Sequence, residues 1–314
     1  MNILITGIAG FIGSTLAKEL SKNDSYNIIG IDNFNDYYNP EFKEENIKGL
    51  KIKLYRYDIR DFDKLKEIFK ENKIDKIIHL ASMVGVRSSI DNPFVYEEVN
   101  IKGTLNLLEL AKEVNCKKFV FGSSSSIYGN CKTTPFNEKL DAYPISPYGV
   151  TKRSAELLCH SYSHLYNLPI VCLRFFTVYG PKGRPDMAPY KFTEMIFNGD
   201  EIEMFGDGTS KRDYTFVADI VDGIIKSLDL DAGFEIINLG NSNPIELNKL
   251  ISLIEKTLNK KAKIVSKGEQ PGDVIRTYAD IKTAEDLLGY SPKVNIEEGI
   301  KMLCEWYVKN RANK

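Results

Sequence analysis

The fold is indicated first by Gly7-Ile8-Ala9-Gly10-Phe11-Ile12-Gly13, a glycine-rich stretch close to the amino terminus. The apolar segment 2–6 before it predicts a short strand, and segment 14–20 after it predicts a helix. Glycines at this spacing let the backbone turn sharply, approach a diphosphate closely and pack the helix against the strand. The first N–H groups of the helix would bind the anion. The stretch therefore predicts a dinucleotide site, with a tight turn that binds no ligand as the alternative.

An acidic residue follows at the distance that a dinucleotide site requires. The next apolar segment, 27–31, predicts a second strand and ends at Asp32. A carboxylate about 20 residues beyond the glycines can bind the hydroxyl groups of the adenosine ribose. It would repel a 2′-phosphate, so the sequence favours NAD over NADP as the cofactor.

Strand-like and helix-like segments then alternate along the first half of the chain. Strands are predicted at 52–57, 76–81 and 118–121, and helices at 61–69 and 98–114. This alternation is typical of the α/β class, in which a doubly wound parallel (Rossmann) sheet carries helices on both faces. Ligands of such sheets bind past the carboxyl ends of the strands, where Ala81-Ser82 and Gly122-Ser123-Ser124 fall.

A second motif, Ser146-Pro147-Tyr148-Gly149-Val150-Thr151-Lys152, predicts the start of a helix, with Ser146 as its N-cap. Tyr148 and Lys152 would lie one turn apart on the same face. A phenol with its ordinary pKa of about 10 is not ionised at neutral pH, but an ammonium close by would lower that pKa. Tyr148 is therefore a candidate proton-transfer group and Lys152 its partner, unless the two are only surface neighbours.

Composition and charge exclude several classes of protein. The 314 residues are 43% hydrophobic and 27% charged, which fits one large or two modest globular domains. With 42 Lys and Arg against 43 Asp and Glu, the net charge of −1 gives no electrostatic case for nucleic acid or an anionic membrane. No leader and no apolar run of roughly 18 residues is evident, so we expect a cytoplasmic protein. Its five scattered cysteines are expected to be reduced, and no metal site is expected.

The order and spacing of the motifs resemble the extended short-chain dehydrogenase/reductase family and, within it, the nucleotide-sugar epimerases. The resemblance covers nearly the whole chain. The motifs are Gly7-x-x-Gly10-Phe11-Ile12-Gly13, Asp58-Ile59, His79-Leu80-Ala81, Asn100-Ile101-x-Gly103-Thr104, Ser123-Ser124, Tyr148-x-x-x-Lys152 and Leu173-Arg174-Phe175-Phe176-x-Val178-Tyr179-Gly180-Pro181.

This resemblance and the loss of strict alternation beyond Gly180 predict two domains. Residues 1–173 would form the NAD-binding Rossmann domain, and residues 216–242 would return to it. Residues 174–215 and 243–314 would form a smaller α/β lobe that binds a nucleotide sugar. In this part of the chain we expect strands at 202–205 and 236–240 and helices at 191–197, 244–257 and 296–311.

The resemblance also implies roles for individual residues. It makes Tyr148 the catalytic base, Lys152 its partner and a ligand of the nicotinamide ribose, and Ser124 the hydroxyl beside carbon 4 of the sugar. Carbon 4 would give its hydride to NAD and receive it back on the other face of a 4-keto sugar. The residues implied to contact NAD are Gly7, Gly10, Phe11, Ile12, Gly13, Asp32, Asn33, Asp58, Ile59, Leu80, Ala81, Ser82, Asn100, Ser123, Tyr148, Lys152, Phe175 and Val178.

The substrate class depends on the residues after Ser124. Ser125 and Ser126 stand where the sugar 4,6-dehydratases of this family carry Asp-Glu, so dehydration is not expected. Their hydroxyl groups could bind a carboxylate on carbon 5 of a hexuronic acid, or could simply fill a tight strand end. Further segments resemble the uronate 4-epimerases in particular, and these are Gly85-Val86-Arg87, Phe176-Thr177-Val178-Tyr179-Gly180-Pro181 and Gly183-Arg184-Pro185-Asp186-Met187-Ala188.

We therefore expect epimerisation of a UDP-hexuronic acid, UDP-glucuronate or UDP-galacturonate. Met83 departs from the Gln that is common in this subgroup, and a UDP-glucose 4-epimerase, or another dehydratase or reductase, is the alternative. A non-catalytic NAD sensor would not need the Ser124, Tyr148 and Lys152 trio. The expected substrate contacts are Arg87, Ser124, Ser125, Ser126, Tyr148, Thr177, Arg184, Arg212 and Arg276.

The arginines of this set would bind substrate anions. Arg212 and Arg276 match positions that hold the diphosphate, and a guanidinium can meet phosphate oxygens bidentately. Arg87 and Arg184 are candidate ligands of a substrate anion, with a solvated salt bridge as the alternative. The resemblance also implies a homodimer through the Tyr148 helix and segment 98–114, although burial in the core would equally explain their apolar faces.

Overall fold

The computed structural model describes residues 1–268, 274 and 276–312, and these residues form alternating strands and helices. The strands are β1 (Asn2–Thr6), β2 (Asn27–Ile31), β3 (Lys53–Tyr55), β4 (Lys76–His79), β5 (Lys118–Ser124), β6 (Ile170–Phe175), β7 (Thr177–Tyr179), β8 (Glu201–Phe205), β9 (Lys211–Phe216), β10 (Phe234–Leu239), β11 (Pro244–Glu246) and β12 (Lys263–Lys267). The helices are α1 (Phe11–Leu20), α2 (Pro40–Ile47), α3 (Phe62–Glu71), α4 (Val86–Asp91), α5 (Pro93–Glu97), α6 (Gly103–Glu113), α7 (Pro147–Tyr166), α8 (Ala188–Asn198), α9 (Val217–Ser227), α10 (Leu247–Leu258), α11 (Lys282–Leu288) and α12 (Ile296–Asn310).

Seven strands form one parallel sheet in the order β10-β6-β5-β4-β1-β2-β3. The register aligns Thr6 of β1 with His79 of β4, and Ser124 at the end of β5 with Phe175 at the end of β6. The carboxyl ends of these four strands therefore lie along one edge of the sheet. The prediction of a doubly wound parallel sheet is confirmed, and its edge is where such sheets bind ligands.

Helices cover both faces of this sheet. On one face Ile3 and Ile5 of β1 pack with residues of α1 and α9, such as Leu16 and Ile224. On the other face Leu4 belongs to a second cluster that includes side chains of α3, α6 and α7. Strands that are buried on both faces need continuous apolar sequence, which is why residues 3–5 and 28–31 form unbroken apolar runs within β1 and β2.

The remaining strands form two small sheets at the carboxyl edge, in the orders β11-β9-β7 and β12-β8. Helices α8, α10 and α12 pack against one another beside them. Strand β10 pairs with β6, which confirms that the predicted strand at 236–240 returns to the main sheet. The division into two domains remains a prediction. The sequence neighbours of Arg276 lie partly outside the described residues, and these are Gly272, Asp273 and Ile275.

Several elements differ from the sequence-based expectation. Helix α1 begins at Phe11, three residues early, and α2, α4 and α5 were not predicted. Strand β5 continues to Ser124, and the segment predicted as one helix at 98–114 contains a π-helical turn, Glu98–Lys102, before α6. The Thr104 hydroxyl donates to the Asn100 carbonyl within that turn at 2.6 Å. π-helical turns are common at functional sites, and this one carries Asn100.

The longest helix among the described residues is α7, which is 20 residues long and polar. Within the part of the chain that the structure describes, no helix is both long and apolar enough to span a bilayer. All five cysteines are free thiols.

The packing of α9 gives a stability prediction. Ile224 is fully buried between α9 and the sheet, so Ile224→Ala should lower the free energy of unfolding by about 2–5 kcal/mol through lost contacts and a cavity. Met302 of α12 is 40% exposed, and the control Met302→Ala should change it by less than about 0.5 kcal/mol. Urea unfolding followed by circular dichroism measures both variants. Equal effects would contradict the placement of α9 in the core.

Candidate active site

A cavity of about 410 Å³ lies at the carboxyl edge of the main sheet, between the sheet and the smaller strands. Most of the residues predicted from the sequence line it. They are Gly7, Gly10, Phe11, Ile12, Gly13, Asp32, Asn33, Asp58, Ile59, Leu80, Ala81, Ser82, Ser123, Ser124, Ser125, Ser126, Tyr148, Lys152, Phe175, Thr177, Val178, Arg184 and Arg212.

Three predicted residues do not line the cavity. The Arg87 guanidinium stacks over the Phe205 ring at 4.8 Å, and that of Arg276 lies over Tyr278 at 5.5 Å. Asn100 is buried behind the wall, where its Oδ1 accepts hydrogen bonds from the Ser82 hydroxyl at 2.9 Å and the Met83 amide at 2.8 Å. Asn100 thus holds the loop after β4, and any effect it has on a ligand passes through that loop.

The glycine-rich turn fits a diphosphate. Gly7 has φ of +69°, and a Cβ atom there would lie 2.8 Å from the Ala81 amide nitrogen. A Cβ at Gly13 would lie 2.2 Å from the Gly7 carbonyl oxygen, so a side chain at either position would displace the backbone. Gly10 is the N-cap of α1 and supplies no capping side chain, which leaves the first amides of the helix available to an anion.

Asp32 and Asp58 form the polar wall at the ends of β2 and β3. The Asp32 carboxylate accepts hydrogen bonds from the amides of Ala9 at 3.1 Å and Phe34 at 2.9 Å. Asp58 accepts a hydrogen bond from the Asn33 side-chain amide at 2.8 Å. These bonds fix the orientation of both carboxylates, and their contact with an adenosine ribose stays a prediction.

Lys43 of α2 belongs to the same wall and was missed from the sequence. Its side chain is 7% exposed, and its ammonium lies 3.8 Å from the Asp32 carboxylate. Burial lowers the pKa of Lys43, and Asp32 opposes that shift. Segment 34–49 has no apolar period that would reveal it as a cavity wall, so only the buried position of a lysine in the structure identifies it.

Helix α7 carries the proposed proton-transfer residues into the cavity. The Ser146 hydroxyl accepts a hydrogen bond from the Gly149 amide at 3.1 Å, which confirms the predicted N-cap. Tyr148 follows in the first turn and lines the cavity with Ser124, whose hydroxyl lowers the pKa of the phenol. One turn later, the buried Lys152 ammonium donates to the Gly122 carbonyl of β5 at 2.7 Å. The structure thus brings Ser124, Tyr148 and Lys152 together.

The electrostatics of Tyr148 differ from the sequence-based expectation. Burial raises the pKa of Tyr148 above its ordinary value, and the hydrogen bond with Ser124 and the charge of Arg184 lower it only in part. Burial also lowers the pKa of Lys152 to about 7, although Cys159 and Glu156 oppose that shift. In the protein's own groups burial outweighs the interactions that lower the pKa of Tyr148, and Lys152 is not one of them, so its effect on the phenol stays a prediction.

The cavity wall carries a charged pair, Arg184 and Asp186, that is hydrogen-bonded to Tyr37 of a distant segment. The Arg184 Nε donates to the Asp186 carboxylate at 3.0 Å, and the Tyr37 hydroxyl donates to the same carboxylate at 3.3 Å. Arg184 acts electrostatically on Tyr148, so its guanidinium belongs to the reacting end of the cavity. Tyr37 was missed from the sequence because it is 149 residues from Asp186 along the chain.

Hydroxyl groups surround Ser124. Its Oγ accepts the Ser126 amide at 3.1 Å and donates to the Ser126 hydroxyl at 3.2 Å. Ser125 and Ser126 begin a 3₁₀ turn that ends at Tyr128. These small side chains leave room for a ligand and offer donors to an anionic group. Among the described residues, no group of three or more His, Cys, Asp or Glu side chains could hold a metal ion.

Comparison with known proteins assigns the family. A model of the GDP-mannose 4,6 dehydratase family matches residues 4–303. The chain is 46% identical to the UDP-glucuronate 4-epimerase of Thermodesulfobacterium geofontis, over 98% of this chain and 96% of that protein.

Solved structures agree with this assignment. The UDP-glucuronic acid 4-epimerase of Bacillus cereus, in complex with UDP-glucuronic acid and NAD, is 38% identical, with a TM-score of 0.92 over 98% of this chain and 99% of that one. The UDP-glucose 4-epimerase of Thermotoga maritima with UDP-glucose is 33% identical, with a TM-score of 0.93 over the same shares of the two chains. The chain therefore belongs to the GDP-mannose 4,6 dehydratase family of the extended short-chain dehydrogenases/reductases.

Proposed function

We propose that this protein is an NAD-dependent epimerase that interconverts UDP-glucuronate and UDP-galacturonate at carbon 4. The observation that carries the proposal is the convergence of Ser124, Tyr148 and Lys152 in one cavity with the glycine-rich turn. The relatives named UDP-glucuronate 4-epimerase support the uronate over the neutral sugar.

The cofactor proposal rests on the geometry of the turn and the acidic wall. We propose that Gly7, Gly10 and Gly13 bind the diphosphate through backbone amides and that Asp32 binds the adenosine ribose. Asp32 disfavours a 2′-phosphate, which supports NAD over NADP. When bound, NAD⁺ would supply an acceptor for the hydride of carbon 4 and a positive charge that favours the phenolate.

The remaining cofactor contacts are proposed for the residues that line or support the same side of the cavity. Phe11 and Ile12 start α1, and Asn33 and Ile59 lie beside the two carboxylates. Leu80, Ala81, Ser82, Ser123, Phe175 and Val178 follow the ends of the central strands. We propose that Asn100 acts through the loop that it holds.

The chain's own residues would move the proton. As a phenolate, Tyr148 takes the proton of the 4-hydroxyl group, and Ser124 donates a hydrogen bond to that oxygen as it becomes a carbonyl. On the return, Tyr148 gives the proton back to the oxygen. Ser124 and Arg184 offset part of the effect of burial on the pKa of Tyr148. We propose that the Lys152 ammonium on the same helix face adds positive charge that favours the phenolate.

We propose that hydroxyl groups and Arg184 select the carboxylate on carbon 5. Ser125, Ser126 and Thr177 line the cavity around Ser124 and can donate to a carboxylate oxygen. The hydroxyls replace the acids that a dehydratase needs, so water would not be expelled from the sugar. Arg184 would exchange its bond to Asp186 for a substrate anion.

The diphosphate of the substrate would lie toward β9. Arg212 lines the cavity, and a β-bridge pairs Lys211 with Arg276, which brings the two arginines close along the backbone. We propose both as diphosphate ligands, since a guanidinium binds phosphate oxygens bidentately. Arg87 follows Gly85 and Val86, which line the cavity, and is proposed as a further anion ligand.

We further propose a cytoplasmic homodimer that pairs through α6 and α7. Val150, Leu157 and Leu165 of α7 are 47%, 55% and 61% exposed, and they form an apolar stripe on one side of the helix. The proposed division of each subunit assigns residues 1–173 and 216–242 to the NAD domain and the rest to the nucleotide-sugar lobe.

Substrate preference tests the proposed function. The protein should convert UDP-glucuronate to UDP-galacturonate, with kcat/KM at least about 100-fold above that for UDP-glucose, as measured by NMR of the products. The variant Ser126→Ala should lower kcat/KM for the uronate about 10-fold and leave that for UDP-glucose within about 2-fold, because it removes a hydrogen bond to a charged group. Equal kcat/KM values for both sugars would instead indicate a UDP-glucose 4-epimerase.

Removal of one hydroxyl group tests the proposed base. Tyr148→Phe should lower kcat about 10²–10⁴-fold, the usual contribution of a positioned acid–base group, while NAD binding stays near that of the wild type. The control Tyr143→Phe alters a side chain that is 77% exposed and should keep wild-type kcat. Stopped-assay chromatography gives kcat, and the fluorescence of a reduced-cofactor titration gives binding. Substantial turnover by Tyr148→Phe would place the base elsewhere.

A further inference from the structure

A buried ion pair lies two turns beyond Tyr148 on the same face of α7. Glu156 and Arg174 have side chains that are 0% and 1% exposed. The Glu156 carboxylate accepts hydrogen bonds from Arg174 Nε and Nη2, each at 2.9 Å. It also accepts bonds from the Ser123 hydroxyl at 2.7 Å and from Arg153 Nη1 at 2.9 Å. Four donors therefore converge on one carboxylate that the mechanism above does not use.

The same network reaches the wall that carries the reacting hydroxyls. Arg174 Nη1 donates to the Tyr128 hydroxyl at 2.9 Å, and that hydroxyl donates to Asn238 Oδ1 at 2.7 Å. Tyr128 ends the 3₁₀ turn that begins at Ser125, and Ser123 directly precedes Ser124. Helix α7, the end of β5 and the 3₁₀ turn are therefore connected through Glu156 and Arg174.

A contribution to folding stability does not by itself explain why a buried ion pair occupies this position. Two charges that leave water lose solvation, and their attraction often does no more than offset that loss, so apolar side chains of similar volume would hold the helix as well. The position of the pair gives a better reason. Glu156 lies one turn beyond Lys152 on α7, and its charge acts on Lys152.

We propose that Glu156 is a positioning residue of the active site, which fixes Ser123 and the segment after it against α7 and keeps the Lys152 ammonium charged. This inference rests on the proposed function, since it assigns Lys152 and Ser124 to the reaction. Glu156 touches neither substrate nor cofactor in this scheme and acts through Ser123, Arg174 and Lys152.

Glu156 is the carboxylate whose charge favours the protonated form of Lys152. On α7 itself, Cys159 and Glu156 oppose the effect of burial, which lowers the pKa of Lys152 to about 7. From β4, His79 faces the site as a neutral ring whose pKa burial lowers to about 3. Strand β5 presents the Gly122 carbonyl and the Phe121 ring at 4.9 Å.

Arg174 on strand β6 makes the protonation of Lys152 depend more strongly on the Glu156 charge. Arg174 of β6 is held by Glu156, so loss of the carboxylate charge leaves a buried guanidinium whose repulsion acts on Lys152. Without Glu156, Lys152 should therefore lose its proton at a lower pH.

Two substitutions separate the charge from the geometry. Glu156→Gln removes the charge and keeps the size, and it should move the alkaline limb of the kcat/KM profile to lower pH by about one unit. Glu156→Asp keeps the charge and shortens the side chain, so the limb should stay within about 0.3 units while kcat falls about 10-fold. NAD binding should also be lost at a lower pH in Glu156→Gln than in the wild type. Titration with NAD in the absence of turnover measures this pH.

The matched control is Asp219→Asn, which also turns a buried carboxylate into an amide. Asp219 accepts the amides of Lys293 at 3.0 Å and Val294 at 3.2 Å, and it lies on α9, away from Lys152. The Asp219→Asn variant should lower the thermal midpoint without moving the pH profile of kcat/KM or of NAD binding.

The inference is overturned if Glu156→Gln behaves like this control and its NAD-binding profile matches the wild type. A wild type that binds NAD but turns over no UDP-sugar would overturn the proposed function, and the NAD-binding profiles would still decide the role of Glu156.

Discussion

The hydrogen bond between the Lys152 ammonium and the Gly122 carbonyl joins helix α7 to strand β5 of the main sheet. It is 2.7 Å long and buried, and it lies one turn from Tyr148 and two residues from Ser124. Because this bond holds α7 against β5, the Tyr148 phenol faces the end of β5. The register that aligns Ser124 with Phe175 then places that phenol at the edge where β1 contributes the glycine-rich turn. The position of the reacting groups therefore depends on the packing of one helix on one strand.

Burial is the electrostatic constraint that this packing imposes. Because burial desolvates both groups, the pKa of Tyr148 rises while that of Lys152 falls to about 7, and both shifts favour neutral groups. The ionised forms of Tyr148 and Lys152 therefore need fixed charges of opposite sign. Arg184 acts on the phenol, and Glu156 acts on the lysine from one turn further along α7. A preorganised site of this kind lets small changes in charge have large effects, since the same charges would be screened in water.

The parts of the site that could be predicted from the sequence are those with a local signal. The glycine spacing, the Ser146 N-cap and the Tyr148 to Lys152 spacing each depend on neighbouring residues, and each appears in the structure as expected. Tyr37 and Lys43 meet the site from distant segments, so no local pattern reveals them. The direction of the Lys152 side chain depends on which carbonyl of β5 lies opposite, and the extension of β5 to Ser124 was itself not predicted.

Retention of a label on carbon 4 tests the central claim most directly. The protein should be incubated in ordinary water with UDP-glucuronate that carries deuterium at carbon 4, and the product should be analysed by mass spectrometry and NMR. If hydride leaves carbon 4 and returns to it inside the closed site, UDP-galacturonate will form with the deuterium still on carbon 4. Formation of UDP-galacturonate that has exchanged the deuterium for solvent hydrogen would contradict hydride transfer beside Tyr148.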